Sequence, residues 1–353
     1  WLKRILLNMK ISQQIISLND KPFVIAEMSG NHNQSFERAI EIVEAAAQSG
    51  AHALKLQTYT KDTMTINHSK NEFRVDLDLW KGASLYDLYD EAYTPWEWHE
   101  EIFKYSKKLG MIPFSTPFDL TAVEFLEKLN VECYKIASFE NTDIPLIEAV
   151  CSTGKPVIIS TGMMDLNEMD ETVRAARSAG CKDLILLKCS SAYPSSPKNS
   201  NVLTIPHMRK MFNCEVGLSD HSLGIGVAVG SVVLGATVIE KHLTLARNDE
   251  GVDSAFSMEP DEMRSLVVES KRAWQSKGRI NYGPTDSEIA SRKYRRSLYI
   301  VRDIKKGQKI TRENMRAIRP GLGLPTKYYN DLLGKEVKKN LSKGTPIDWS
   351  IIK

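Results

Sequence analysis

At 353 residues the chain exceeds an average domain of ~150 residues and has the length of a ~250-residue barrel plus a small appendix. Hydrophobic residues at 42% and charged residues at 26% exclude a disordered or collagen-like chain. A net charge of +3, from 47 Lys and Arg against 44 Asp and Glu, excludes a nucleic-acid coat or a polybasic membrane anchor and points to a small-molecule partner.

Trp1 to Met9 carries two early basic residues on a short apolar stretch without a cleavage pattern. It reads as neither a signal peptide nor a membrane span, and Met9 is a candidate initiator. Eight β-rich apolar runs that end in polar residues follow: FVIAEMS from Phe23, ALKLQT from Ala53, MIPFST from Met111, CYKIAS from Cys133, PVIIST from Pro156, LILLKCS from Leu184, EVGLSDH from Glu215 and TVIEKHL from Thr237. Helical periodicity marks Phe36 to Ser49, Glu97 to Leu109, Asn167 to Ala179 and Pro260 to Gln275. Ser35 is placed to cap the first of these, and Gly50, Gly110 and Gly180 to end helices. Strand and helix alternation without a G-x-G-x-x-G fingerprint predicts a (β/α)8 TIM barrel over residues 1–283.

The connection from Thr58 to Trp96 is long for a βα loop and holds Trp80, Tyr86, Tyr89, Tyr93 and Trp96, so it reads as a binding-site loop or a decorated surface insertion. The glycines between Gly224 and Gly235 read as sites of close helix packing. Beyond Pro284 a compact β-module over 284–353 is expected, with a hairpin over Ser297 to Ile310 turning at Lys306-Gly307. DIKKGQKIT from Asp303 echoes NLSKGTPID from Asn340. The basic run from Arg292 to Arg319 lacks interleaved aromatics, which argues against nucleic-acid binding. Five cysteines without C-x-x-C spacing read as reduced, buried thiols of a cytoplasmic protein.

In such a barrel the C-terminal strand ends share one mouth, which here collects Glu27, Lys55, Gln57, Ser115, Thr116, Lys135, Ser138, Glu140, Ser160, Thr161, Lys188, Ser190, Ser219, Asp220, His221, Glu240 and His242. A lysine inside a β-run needs an anionic partner, either a ligand or an ion pair with Glu27 or Glu240. His221 and His242 close neighbouring strands, as a hydrogen-bonded structural pair or as ligands of a divalent metal. Two readings of other classes stand beside an enzyme of the metal-assisted kind: a non-catalytic carbohydrate- or ice-binding protein, and an aldolase with Lys135 or Lys188 as Schiff-base nucleophile.

The collinear set AEMSGNH (Ala26), LKLQT (Leu54), FSTPF (Phe114), YKIASFE (Tyr134), STGM (Ser160), GLSDHS (Gly217) and IEKHLT (Ile239) resembles the sialic acid synthases over nearly the whole chain. RSLYIVRDIKKGQ from Arg296 and IRPGLGL from Ile318 resemble their C-terminal antifreeze-like (SAF) β-clip domain. SLYDLYDEAYTPWEWH from Ser84, KCSSAYP from Lys188 and VDSAFSMEP from Val252 are most similar to the pseudaminic acid synthase branch. The chain departs from the N-acetylneuraminate branch before Tyr193 and at Glu250-Gly251-Val252-Asp253.

The resemblance implies condensation of phosphoenolpyruvate with 2,4-diacetamido-2,4,6-trideoxy-L-altrose, releasing phosphate; the alternatives within the family are N-acetylneuraminate and legionaminate synthesis. It further implies that Lys55, Thr116, Lys135, Ser138, Ser160 and Ser219 hold phosphoenolpyruvate, and that Gln57, Glu140, Tyr193, Asp253 and Arg319 hold the acetamido sugar. Glu27 is implied as the catalytic proton carrier, and His221 and His242 as ligands of Mn2+, or of Mg2+ or Co2+. Arg319 is implied to serve the partner's site in a domain-swapped homodimer.

Overall fold

The computed structural model describes the whole chain except residues 1–8, 77–79 and 250. The reading of the first eight residues and the departure at Glu250 lie outside the described residues. Two compact units are present, Trp1–Gly278 and Arg279–Lys353.

In the first unit a hairpin of β1 (Met9–Ile11) and β2 (Gln14–Ile16) precedes eight parallel strands, β3 (Phe23–Glu27), β4 (Ala53–Thr58), β5 (Ile112–Pro117), β6 (Tyr134–Ile136), β7 (Val157–Ser160), β8 (Leu184–Cys189), β9 (Glu215–Ser219) and β10 (Val238–His242). They close into a barrel in chain order, with β10 pairing β3. The eight apolar runs are these eight strands, while the hairpin had no sequence signal because its strands are only three residues long.

Alternation along the strands sorts their side chains into two cores. Val24, Ala26, Leu54, Leu56, Ile136 and Ile159 face the helices. Phe23, Ile25, Ala53, Phe114, Cys133, Ile158, Ile185, Leu187 and Val238 fill the barrel interior together with Met9, Ile11 and Ile16 of the hairpin. The helix Phe36–Gln48 shows how the outer layer is built. Ser35 Oγ accepts from Arg38 N at 3.2 Å, Ala39, Ile42, Val43 and Ala46 are buried, and Gly50 just beyond the helix has φ 81°. Helix Gly226–Val233 departs from expectation: a Cβ on Gly226 or Gly230 would meet nothing within 4 Å, so these glycines do not serve close packing. All five cysteines are free and buried, and among the described residues no helix is long and apolar enough to cross a membrane.

In the second unit β11 (Ser297–Ile300) pairs antiparallel with β12 (Met315–Ile318), over a core that includes Leu298, Ile300, Ile310, Met315, Val337 and Ile347. The expected hairpin over Ser297 to Ile310 is therefore corrected. Gly307 does turn the chain, with φ 84°, but the two echoed segments pair with each other. Ile304 and Leu341 exchange backbone hydrogen bonds of 2.8 Å, Asn340 Oδ1 accepts from Lys306 N, and Asp303 Oδ1 accepts from Lys343 N, each at 2.8 Å. The repeat is thus a local pseudo-two-fold, which satisfies the turn amides reciprocally.

Two buried histidines fasten the segment that enters the barrel rim. His32 Nδ1 accepts from Gln34 N and its Nε2–H donates to Thr94 Oγ1; His99 Nδ1–H donates to the Pro95 carbonyl and its Nε2 accepts from Thr58 Oγ1. Burial holds both rings neutral, down to about pH 4. A depressed folded-state value contributes stability above the ordinary value of 6.5 that is lost as pH falls towards 4. Chemical denaturation should therefore show falling stability across that window. His99→Gln should make the fall shallower while costing about 1–3 kcal/mol at neutral pH.

Candidate active site

Most of the strand residues expected at the site have the inward parity of the barrel interior. Above the apolar layer formed by Ile25, Ala53, Phe114, Cys133, Ile158 and Val238, the next inward residues are Glu27, Lys55, Thr116, Lys135, Ser160 and Glu240. The mouth also takes Gln57, Ser219 and His242. Ser115, Lys188 and Asp220 have the opposite parity and belong elsewhere. Ser115 Oγ lies 2.6 Å from Thr58 Oγ1, Lys188 Nζ donates to its neighbour's carbonyl at Cys189, and Asp220 is paired with buried Lys241 at 2.9 Å.

The central feature is a buried cluster of two lysines and two glutamates. Lys55 Nζ contacts the Glu27 carboxylate, lies 4.0 Å from Glu240 and donates to Thr116 Oγ1 at 3.1 Å. Lys135 Nζ lies 3.6 Å from Glu240 and donates to Ser160 Oγ at 2.7 Å. Ser219 Oγ donates to Glu240 at 3.0 Å. All four charged side chains are at most 6% exposed. Burial alone would raise Glu240, but Lys135, Lys55 and Ser219 outweigh it and hold the carboxyl below its ordinary range. Burial, reinforced by Glu240, raises Glu27 in spite of Lys55. The two carboxyls are thus shifted in opposite directions by their unequal contact with the lysines. Burial would lower Lys55, yet Glu240 and Glu27 keep it above its ordinary value; burial wins at Lys135, which is lowered.

A second polar chain runs along the rim. Gln57 Nε2 donates to Glu27 Oε1 at 3.2 Å and to Ser29 Oγ at 2.9 Å, and the Ser29 hydroxyl donates to Asp253. Asp253 Oδ2 lies 3.7 Å from His242 Nδ1, an atom that is buried without a hydrogen-bond partner. His221 Nδ1–H donates to the Ser190 carbonyl at 3.1 Å, which leaves Nε2 as the lone-pair nitrogen. The two imidazole centroids are 5.3 Å apart, and Tyr193 and Phe256 pack against them at 4.5 and 5.0 Å. Among the described residues no three His, Cys, Asp or Glu side chains converge as a ready-made metal cage. An orphaned buried imidazole nitrogen beside a second one oriented through its far nitrogen nevertheless fits a divalent ion whose other positions go to water or substrate.

These groups surround a cavity of about 330 Å³. It is lined by Lys55, Gln57, Lys135, Ser138, Glu140, Ser160, Tyr193, Ser219, His221, His242 and Asp253 of the expected residues. Glu27 and Thr116 lie behind Lys55, bonded to it, and Arg319 is an exposed residue of the second unit. Gly162 lets the chain pass close beside Ser138, since a Cβ there would collide with Ser191 Oγ and come within 2.6 Å of Ser138 Oγ. Ser29, Cys189 and Phe256 were missed; for Ser29 the signal was available, two residues past an inward glutamate at a strand end. Tyr89 and Trp80 of the long loop also line the cavity, whereas Tyr86, Tyr93 and Trp96 are not among its lining residues.

A barrel mouth with two buried ammonium groups, convergent hydroxyls and an apolar side has the makings of an enzyme site. The NeuB family model matches residues 42–282 and the SAF domain model residues 295–353. The chain is 40% identical to the pseudaminic acid synthase of Campylobacter jejuni, over 94% of this chain and 96% of that protein. It is 36% identical to the N,N'-diacetyllegionaminic acid synthase of Legionella pneumophila, over 94% of each. A crystal structure of N-acetylneuraminic acid synthetase from Leptospira borgpetersenii in complex with citrate matches with a TM-score of 0.71 and 30% identity, covering 80% of this chain and 94% of that one. The chain belongs to the NeuB family and is an enzyme of the nonulosonic acid synthase type.

Glu140 lines the cavity with one carboxylate oxygen buried and unpartnered, and burial pushes its carboxyl up to about 7 against the pull of Lys135. The raised value favours the protonated form in the folded state, so its contribution is present below the ordinary value of 4.5 and is lost as pH rises through 7. Glu140→Gln should flatten the decline of unfolding free energy between pH 4.5 and 7, measured by denaturant titration.

Proposed function

We propose that the protein is a pseudaminic acid synthase, joining phosphoenolpyruvate to 2,4-diacetamido-2,4,6-trideoxy-L-altrose. The observation that carries this reading is the 40% identity, sustained over 94% of the chain, to an enzyme of that name. The 36% identity to a legionaminic acid synthase makes that product the alternative. Apolar groups in the cavity, such as Met64, Leu88 and Phe118, also suit a sugar that carries methyl groups where N-acetylmannosamine carries hydroxyls.

In this reading Lys55 and Lys135 neutralise the carboxylate and phosphate of phosphoenolpyruvate, and Thr116, Ser138, Ser160 and Ser219 supply hydrogen bonds, which offsets the desolvation of the anion. Gln57, Glu140, Tyr193 and Asp253 hold the open-chain sugar so that its aldehyde carbon faces the enol carbon, which forms the new C–C bond. His221 and His242 hold a divalent cation, Mn2+ foremost, with Mg2+ and Co2+ as alternatives; bound there, it supplies Lewis-acid polarisation. Water then adds to the former enol phosphate carbon and gives one proton to Glu27, which passes it to the alkoxide left by C–C bond formation; the C–O bond to phosphate breaks with its electron pair, and the remaining hydroxyl closes to the ketone as its proton goes to the departing phosphate. The proton affinity of buried Glu27 and its release from Lys55 by the incoming phosphate both suit that role.

The proposal includes a homodimer in which Arg319 reaches the partner's sugar. Two features support it. The second unit has 18 Lys and Arg against 7 Asp and Glu, while the first has 29 against 37, so opposite charges are available for association. The loops after β5, β6, β7 and β9 also expose Leu120, Phe139, Met163 and Leu223.

Phosphate release should require both substrates and a divalent ion, favour the altrose derivative over N-acetylmannosamine, and stop with chelator. Borohydride trapping of an adduct on Lys135 would instead establish a Schiff-base aldolase. Arg319→Ala should raise KM for the sugar by about 10-fold or more, the loss of one charge-assisted contact, with the melting temperature unchanged.

A further inference from the structure

Helix Leu85–Ala92 has no fully buried residue, although Leu85, Leu88, Tyr89 and Ala92 form an apolar stripe at the spacing of one helix face. None of these four belongs to any of the three hydrophobic cores. All four line the cavity instead, with Met64 and Phe118. An amphipathic helix whose apolar face meets a cavity rather than the protein interior has a ligand group as its complement.

The polarity of the cavity says which group. Its floor is made by inward residues at the strand ends, Lys55, Lys135, Ser160 and Ser219, where an anion is neutralised. An acceptor that reacts through its aldehyde carbon must place that end against the anion, so the far end of its carbon chain extends to the loop-borne side. We infer that the stripe of Leu85–Ala92 reads the C6 end of the acceptor sugar and selects a methyl there over a hydroxymethyl. This inference rests on the proposed function. A hydroxyl buried against Leu85, Leu88 and Phe118 loses its water without gaining a partner.

The test uses the full-length enzyme with phosphoenolpyruvate, Mn2+ and two acceptors that differ only at C6: 2,4-diacetamido-2,4,6-trideoxy-L-altrose and its 6-hydroxy analogue. Wild-type kcat/KM should favour the methyl sugar by about 10- to 200-fold, the range for one small group in an apolar pocket. Leu88→Asn should reduce that preference at least tenfold, chiefly through the methyl sugar, with KM for phosphoenolpyruvate unchanged. Leu88→Ala, which adds no polar group, should weaken the methyl sugar less and keep the order of preference. A wild-type preference that survives Leu88→Asn undiminished, or an equal loss on both sugars, overturns the inference and leaves the proposed function standing. Wild-type enzyme that releases phosphate with neither sugar overturns the proposed function and the inference with it.

Discussion

Two lysines and two glutamates share the closed end of the barrel mouth, and the rest of the site is arranged around the cost of keeping them there. Four charges removed from water are tolerable only when each has a partner, and here each partner is itself one of the four or a hydroxyl on an adjacent strand. Such a cluster contributes little net stability against an apolar replacement, while the loss of one member leaves an uncompensated charge worth several kcal/mol. Its presence is therefore better explained by chemistry than by folding. The unequal treatment of the two carboxylates follows from the same economy of charge, since Glu240 touches both lysines and Glu27 only one.

Period-two alternation is what allows an apolar core and a charged site to occupy one barrel. Along β3 the inward residues are Phe23, Ile25 and Glu27; along β10 they are Val238, Glu240 and His242. The first residues of each set close the barrel together with the β1–β2 hairpin, while Glu240 and His242 line the cavity and Glu27 lies behind Lys55. A shift of one residue in β10 would bury Lys241 inside and turn Glu240 out towards the helices, and one in β3 would turn Glu27 out, so the register is fixed by the core and the site inherits it.

This explains which parts were legible in the sequence. Eight apolar runs ending in polar residues announce the barrel, and the polar endings name the site, because both depend on local patterning. Parity was legible as well but had to be applied: Ser115, Lys188 and Asp220 end their runs on the outward side, and only strict counting from Ala53 or Val238 separates them from Lys55 and Glu240. Pairing in the second unit was not legible from alternation alone. Ser297–Ile300 finds its partner at Met315–Ile318, and the repeated Lys-Gly turns pair with each other, because long-range closure and reciprocal capping by Asp303 and Asn340 outweigh the local hairpin signal. The stripe on Leu85–Ala92 was visible as helical periodicity, yet nothing in the sequence distinguishes a stripe that faces a core from one that faces a cavity.

The division of the cavity into a charged floor and an apolar roof also constrains the order in which it can be filled. Lys55 is occupied by Glu27, so the carboxyl that takes a proton in the proposed reaction is held in an ion pair. Under the proposed function, an anion arriving at the floor competes for Lys55 and frees Glu27, whereas the sugar meets the rim groups Gln57 and Asp253 and leaves the Lys55 pair in place. On that reading the anion is the ligand that converts a structural ion pair into a working acid–base group. Gln57 bonds to both Glu27 and Ser29, and Ser29 to Asp253, so a continuous run of hydrogen bonds links Glu27 to the rim beside His242. On the proposed reading, that run of bonds is the route by which a carboxyl freed at the floor repositions the groups that hold the sugar.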